Sequence, residues 1–267
     1  MTRFIYVLLA ILLLSGAARA EPSEAERATR WADLKHAIFG DRLVEDAGDR
    51  VVIDAPMRAE DAALVPVAIR VAQTLAPEVR GLYLVIDNNP SPLAAHFLLG
   101  PMADPSEIAT RVRIDDYTYL HAIAETADGR LYATARFIKA AGGCSAPASK
   151  DQALALERLG KMKLNFAERS KPDAPVKVKL LISHPNNSGL QMDQVTRLYT
   201  PARYIDKLAV YQGQDLVFSM AAGISISEDP NFRFTYKPNG AKEFRVEAAD
   251  TAGKTFSGAW LATRDGA

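Results

Sequence analysis

Short runs of alternating or unbroken apolar residues, separated by turn residues, dominate the chain. Residues 82–86 are wholly apolar and predict a central strand. Residues 64–71 alternate in part, with Pro66 marking an edge or a bulge. Residues 51–53, 96–99 and 109–114 extend the series, the last with Arg111 and Arg113 on one side. Residues 119–125 and 131–138 flank Asp128-Gly129, a hairpin signal, and residues 87–92 form a turn cluster rich in Asn and Pro. Short strands recurring every ~10–15 residues predict an all-β sandwich.

The period changes before this block and after it. Residues 31–39 carry Trp31, Leu34, Ala37 and Ile38 at helical spacing, and Gly40-Asp41 closes them, so a short amphipathic helix is expected. The polar residues 21–30 read as a frayed approach to it. Residues 149–169 read as helical, with Leu156, Leu159, Met162 and Phe166 on one stripe and Ser149 and Gln152 at capping-box spacing. Residues 171–175 are a Pro-bounded linker. Strand patterns then return at 176–183, 208–211, 216–220, 232–236, 244–248 and 255–261, and Phe232, Phe234 and Tyr236 alternate with Arg233 and Thr235. The expected organisation is a first sandwich over 31–148, a helical connector with its linker over 149–175, and a second sandwich over 176–267.

The first 20 residues have the form of a secretory signal. Arg3 precedes an apolar run of 11 residues, and Ala18-Arg19-Ala20 is a small-x-small cleavage site. Cleavage after Ala20 would leave 247 residues, room for two domains, in the periplasm or outside the cell. Residues 1–20 hold two bases and no acid, so the remainder carries 30 basic against 32 acidic residues. That balance gives no footprint for nucleic acid or an anionic membrane.

Cys144 is the one cysteine of the sequence. A lone cysteine in an exported chain suggests a reactive thiol or an intermolecular link, and it removes any internal disulfide. Gly142 and Gly143 precede it, and small residues surround it, so the expectation is an accessible thiol on a flexible arm. Lys139 and Lys150 are its nearest cations in sequence. The histidines support no alternative chemistry: His36, His96, His121 and His184 form no metal-binding or triad pattern, and no phosphate loop is present. His96 and His121 read as strand-face or core residues, and His184 as a turn residue. Arg111 and Arg113 could receive an anion such as sulfate or thiosulfate, or stand on a solvated face. No cofactor or metal site is expected.

The order of motifs resembles a known family pair. Residues 59–67 (Ala-Glu-Asp leading to Val-Pro-Val), Asn88-Asn-Pro90, Arg111-Val-Arg113, Asp128-Gly129 and Gly142-Gly-Cys144 resemble SoxY. His184-Pro185, Gly189, Pro201-Ala-Arg-Tyr-Ile205, Ser227-Glu-Asp-Pro230, Phe232-Arg-Phe234 and Gly240-Ala241 resemble SoxZ. The resemblance implies two immunoglobulin-like sandwiches packed as a pair. It also implies that Cys144 is a covalent carrier of sulfur intermediates rather than a turnover catalyst. Its partners would be periplasmic sulfur-oxidation enzymes, or a quinoprotein dehydrogenase with its cytochrome c. Ser145-Ala146 stands where the family repeats a glycine pair, and the chain continues past the cysteine, so the arm is tethered at both ends. The alternative is a non-covalent adaptor for the dehydrogenase system, with an incidental thiol.

Overall fold

Each alternating run pairs with a neighbour into one of two sheets in the computed structural model, which describes residues 22–147, 152–167, 174–193 and 196–262. The proposed signal residues 1–20 lie outside the described residues. The first block contributes α1 (Glu24–Phe39), β1 (Val44–Asp46), β2 (Val51–Asp54), β3 (Val65–Val71), β4 (Val79–Ile86), β5 (Leu93–Leu99), β6 (Ala103–Val112), β7 (Thr118–Thr126) and β8 (Leu131–Ile138). After it come α2 (Gln152–Glu157), β9 (Met162–Phe166), β10 (Val176–Ile182), β11 (Ile205–Gln212), β12 (Asp215–Ala222), β13 (Asn231–Tyr236), β14 (Glu243–Asp250) and β15 (Thr255–Leu261).

The two immunoglobulin-like sandwiches join edge to edge. One sheet runs β1-β8-β7-β4-β5-β12-β11-β14-β15, and the facing sheet runs β2-β3-β6-β13-β10-β9. The joins are antiparallel: β5 meets β12 with Phe97 opposite Met220, and β6 meets β13 with Ile108 opposite Phe234. Backbone pairing across both joins leaves no unsatisfied strand edge between the blocks. One hydrophobic core fills the space between the sheets and crosses the joins. Phe97 of the first block sits 5.9 Å from Phe218 and 6.5 Å from Phe232 of the second, with each pair edge-on as aromatic quadrupoles prefer.

The frayed approach expected over 21–30 is instead the first half of α1. Ser23 accepts from the Glu26 N–H, and Glu26 Oε2 accepts from the Ser23 N–H at 2.7 Å, a reciprocal cap that starts the helix early. Arg30 Nε then ties the helix to the Asp87 carbonyl at 3.0 Å. The apolar stripe of α1 packs Phe39, Trp31, Leu34 and Ile38 on the outer face of the larger sheet, over Val85, Ile123 and Leu131. Trp31 stacks on His121 at 3.6 Å.

The long connector helix is also corrected. Helix α2 stops at Glu157, and Met162–Phe166 is strand β9, paired antiparallel with β10. Met162 and Phe166, on the expected stripe, also fit a period of 2 with Leu164 between them, and the open edge of β10 supplies the backbone partners. Leu164 is buried, whereas Leu156, the start of the expected stripe, is largely exposed. The second sandwich therefore begins at β9, ahead of residue 176. Ser149 of the expected capping box lies outside the described residues.

Candidate functional site: a docked cysteine turn

At the end of β8 the chain keeps pairing briefly, with Lys139 N–H donating to the Met57 carbonyl at 2.8 Å. It then folds back over the end of β6. The Gly142 N–H donates to the Asp115 carbonyl and the Gly143 N–H to the Ile114 carbonyl, each at 2.8 Å. Gly142 has φ +78°, a value a side chain disfavours. A Cβ on Gly143 would lie 2.0 Å from the Ala62 carbonyl oxygen and 2.7 Å from that of Ile114. The glycine pair thus permits a tight turn and a close backbone approach. This corrects the flexible arm expected from Gly142 and Gly143.

Cys144 follows at 0% exposure, which corrects the expectation of an accessible thiol. Burial pushes its thiol up to about 12, Asp115 adds to the rise, and Arg113 opposes it. At neutral pH the docked group is a protonated thiol, a poor nucleophile. Small neighbours along the chain suggest exposure, whereas the groups that cover the cysteine come from distant parts of it.

Those groups are largely in the second block. Ser188 Oγ donates to the Cys144 carbonyl, and Gln191 Nε2 donates to the Ala146 carbonyl at 3.0 Å. Ser188 and Gln191 are locked to each other, with Ser188 N–H donating to Gln191 Oε1 at 3.1 Å. Neither residue stood out in the sequence; the hint was only the conspicuous turn, His184-Pro-Asn-Asn-Ser-Gly189. Asn186 is the keystone of this loop, at φ 44°. Its amide side chain donates to the Ile226 carbonyl and accepts from the Ile205 N–H, and its backbone N–H donates to His184 Nδ1 at 3.0 Å.

His184, expected as a turn residue, is fully buried within this turn. Because its Nδ1 accepts a hydrogen bond, the ring is neutral with the proton on Nε2, which faces Asp250 Oδ2 at 3.4 Å. Burial lowers its pKa below 6.5 despite Asp250. Burial works to raise the Asp250 carboxyl. The Lys254 N–H, Arg203 Nε at 2.8 Å and His184 outweigh it and hold the group below its ordinary value. A lowered pKa means that the unfolded chain binds the proton more tightly. The His184 contribution is therefore complete above pH ~6.5 and declines as pH falls below it. That of Asp250 is lost only in a lower window, as pH falls through its depressed value. We expect thermal stability to fall between pH 7 and pH 5, and His184→Asn to flatten that slope. Identical slopes in melting curves of the two proteins would refute this role.

The arginines are split. Arg113 is buried beside the turn at 1% exposure, so it is no solvated face. Its Nη2 donates to the Asn186 carbonyl at 3.2 Å, and its charge favours the thiolate form of Cys144 without offsetting the burial. Arg111 is half-buried and donates to the Asp229 carbonyl at 3.1 Å. His96 stacks on Tyr83 at 4.0 Å, and His121 faces Asp87 Oδ2 at 3.1 Å, both away from the cysteine. Among the described residues no three His, Cys, Asp or Glu side chains converge as a metal site requires.

Residues 35–144 match the family model of sulfur oxidation protein SoxY, and residues 162–260 match that of sulphur oxidation protein SoxZ. No curated protein matches the chain. Among solved structures, the sulfur carrier protein SoxY from Chlorobium limicola f thiosulfatophilum is similar at 27% identity. That match covers 44% of this chain and 96% of that one, with a TM-score of 0.38. A putative membrane anchored protein from Corynebacterium diphtheriae matches at 9% identity over 78% of this chain and 56% of that one, with a TM-score of 0.27. The SoxY match ends on Cys144 itself, and the SoxZ match opens on the first residue of β9. The chain therefore belongs to the SoxY and SoxZ sulfur-oxidation families at once, a SoxY domain followed by a SoxZ domain in one fused SoxYZ-like polypeptide.

Proposed function

We propose that the protein is a periplasmic covalent carrier of sulfur intermediates, with Cys144 as the attachment point. The observation that carries this reading is the coincidence of the lone cysteine with the end of the SoxY match, directly after the Gly142–Gly143 turn. The docked thiol would be the resting form. Undocking would return it toward an ordinary thiol pKa, near 8.5, and so supply thiolate. The thiolate would attack a sulfane or disulfide sulfur of a donor. A new S–S bond forms at Sγ, the donor's S–S bond breaks, and the leaving sulfur departs with the electron pair. A partner enzyme would then act on the carried group, so the protein presents sulfur and does not turn it over. Sulfur-oxidation enzymes are the partners this implies, or a quinoprotein dehydrogenase with its cytochrome c. The apolar start of the sequence and its cleavage site support export.

The adaptor reading draws on a different observation, the complete burial of Cys144. Intact mass decides between the two. The protein purified from cells without reductant should carry an excess mass that reductant removes and that Cys144→Ser abolishes. A bare thiol that stays bare when incubated with thiosulfate or polysulfide and cell extract would favour the adaptor.

A further inference from the structure

A buried cation with no anion beside it is the least explained group near the cysteine. Arg113 makes one hydrogen bond through Nη2, and its Nε has no partner. Among the described residues no carboxylate forms an ion pair with it; Glu228 and Asp61 act on it only from farther away. Buried charges are ordinarily paired, as Asp250 is here with Arg203, and an orphaned charged donor is expensive. Arg111 repeats the pattern two residues earlier, with Nη2 on a carbonyl and Nε without a partner.

The place of Arg113 says which anion is missing. The next residue, Ile114, receives the Gly143 N–H, and the Asn186 carbonyl that holds Nη2 belongs to the loop whose Ser188 holds Cys144. The guanidinium therefore lies between the turn and the loop that covers it. A protonated thiol cannot satisfy it, because S–H is a weak donor and sulfur a weak acceptor. An oxyanion on the cysteine sulfur could, since the planar guanidinium matches such groups in two-point geometry.

We propose that Arg113 is the cation that receives the negative end of the group carried on Cys144 when the loaded turn redocks. This rests on the carrier reading and adds to it the residue of this chain that would hold a carried group ending in an anion. Arg113 would be a positioning residue and would take no part in forming the S–S bond.

The test uses chemically loaded protein. Tetrathionate converts the lone thiol to the thiosulfonate form: the Cys144 thiolate attacks a central sulfur, a new S–S bond forms, the central S–S bond breaks, and thiosulfate leaves with the electron pair. The thiol proton goes to the buffer, and the two-electron oxidation of the thiol is balanced by reduction of tetrathionate. Intact mass verifies the adduct. Its removal by a phosphine reductant is then timed in the wild type, Arg113→Lys and Arg113→Gln. We expect removal to be about tenfold faster in Arg113→Gln than in the wild type, with Arg113→Lys between them, as a lost charge-assisted hydrogen bond predicts. Alkylation of the bare thiol should differ far less among the three. Equal removal rates overturn the proposal. So does equal acceleration of removal and bare-thiol alkylation, which would make Arg113 only a clamp for the Asn186 loop. Amide hydrogen exchange checks the wild type alone: residues 142–146 should stay as protected when loaded as when bare, and their release on loading overturns the proposal without any variant. Failure of the carrier reading would show separately, as no adduct on protein taken from cells.

Discussion

Gly143→Ala is expected to convert Cys144 from a protected thiol into a reactive one. A Cβ 2.0 Å from the Ala62 carbonyl oxygen and 2.7 Å from that of Ile114 cannot be accommodated, because both obstacles are backbone in the sandwich. The turn must lift, and with it go the Gly142 and Gly143 hydrogen bonds to Asp115 and Ile114. The thiol then leaves an environment that holds its pKa at about 12 for one near the ordinary ~8.5. At neutral pH that alone raises the thiolate fraction more than a thousandfold. Alkylation by iodoacetamide should therefore accelerate by at least about a hundredfold, even if the wild-type turn opens now and then. The melting temperature should fall as well, since the Cys144 side chain leaves the interior and the turn loses its hydrogen bonds to Asp115, Ile114 and Ser188. A rate within about threefold of the wild type would mean that the turn is loose, as its glycine content suggests at first sight.

The second large effect concerns the joined core. Phe232 is fully buried in β13, and its ring reaches Phe97 in the other domain. Phe232→Ala removes a buried aromatic side chain and leaves a cavity between sheets that cannot collapse freely, a loss of about 3–5 kcal/mol. Because the core is continuous across the joins, the loss should fall on both domains. The two tryptophans make this testable, since Trp31 packs on the SoxY side and Trp260 lies in β15 on the SoxZ side. In single-tryptophan versions of the protein, both fluorescence transitions should coincide and shift together on denaturation. If the Trp31 transition stays in place while that of Trp260 moves, the two sandwiches unfold independently.

Most strands were legible because alternation is a local property. Residues 131–138 and 255–261 became β8 and β15 with the expected ends, and Asp128-Gly129 turns the chain from β7 into β8 as expected, with Gly129 at φ 85°. The errors fell where two local readings competed. Ser23 reads as part of a polar tail unless Glu26 is taken as the other half of its cap, and Met162 and Phe166 fit a strand as well as the helical stripe. The continuity of the sheets could not be read at all, because neither β5 nor β12 carries a sign of which strand will be its neighbour.

At the site, identity was legible and environment was not. Cys144 stood out through its singularity, and Arg113 through its alternation with Arg111. Burial of the thiol depends on Ser188 and Gln191, 44 and 47 positions farther along the chain, and on the backbone of Ala62, far behind it. A glycine pair signals conformational freedom in the sequence, but the same residues also permit the closest packing of one backbone against another.

The tether on both sides of Cys144 sets a working radius. Once the turn lifts, the last buried side chain on the upstream side is Ala140, four residues before the cysteine. Even drawn out straight, four residues span only ~14 Å. Downstream the chain must return to β9, at the edge of the smaller sheet, so the cysteine can rise only as the crest of a loop and never as the tip of a free tail. Any enzyme that works on this cysteine must therefore bring its reacting centre to the sandwich surface, with a shallow mouth wide enough to admit two strands of chain. A deep, narrow tunnel built for a single terminal peptide would exclude it.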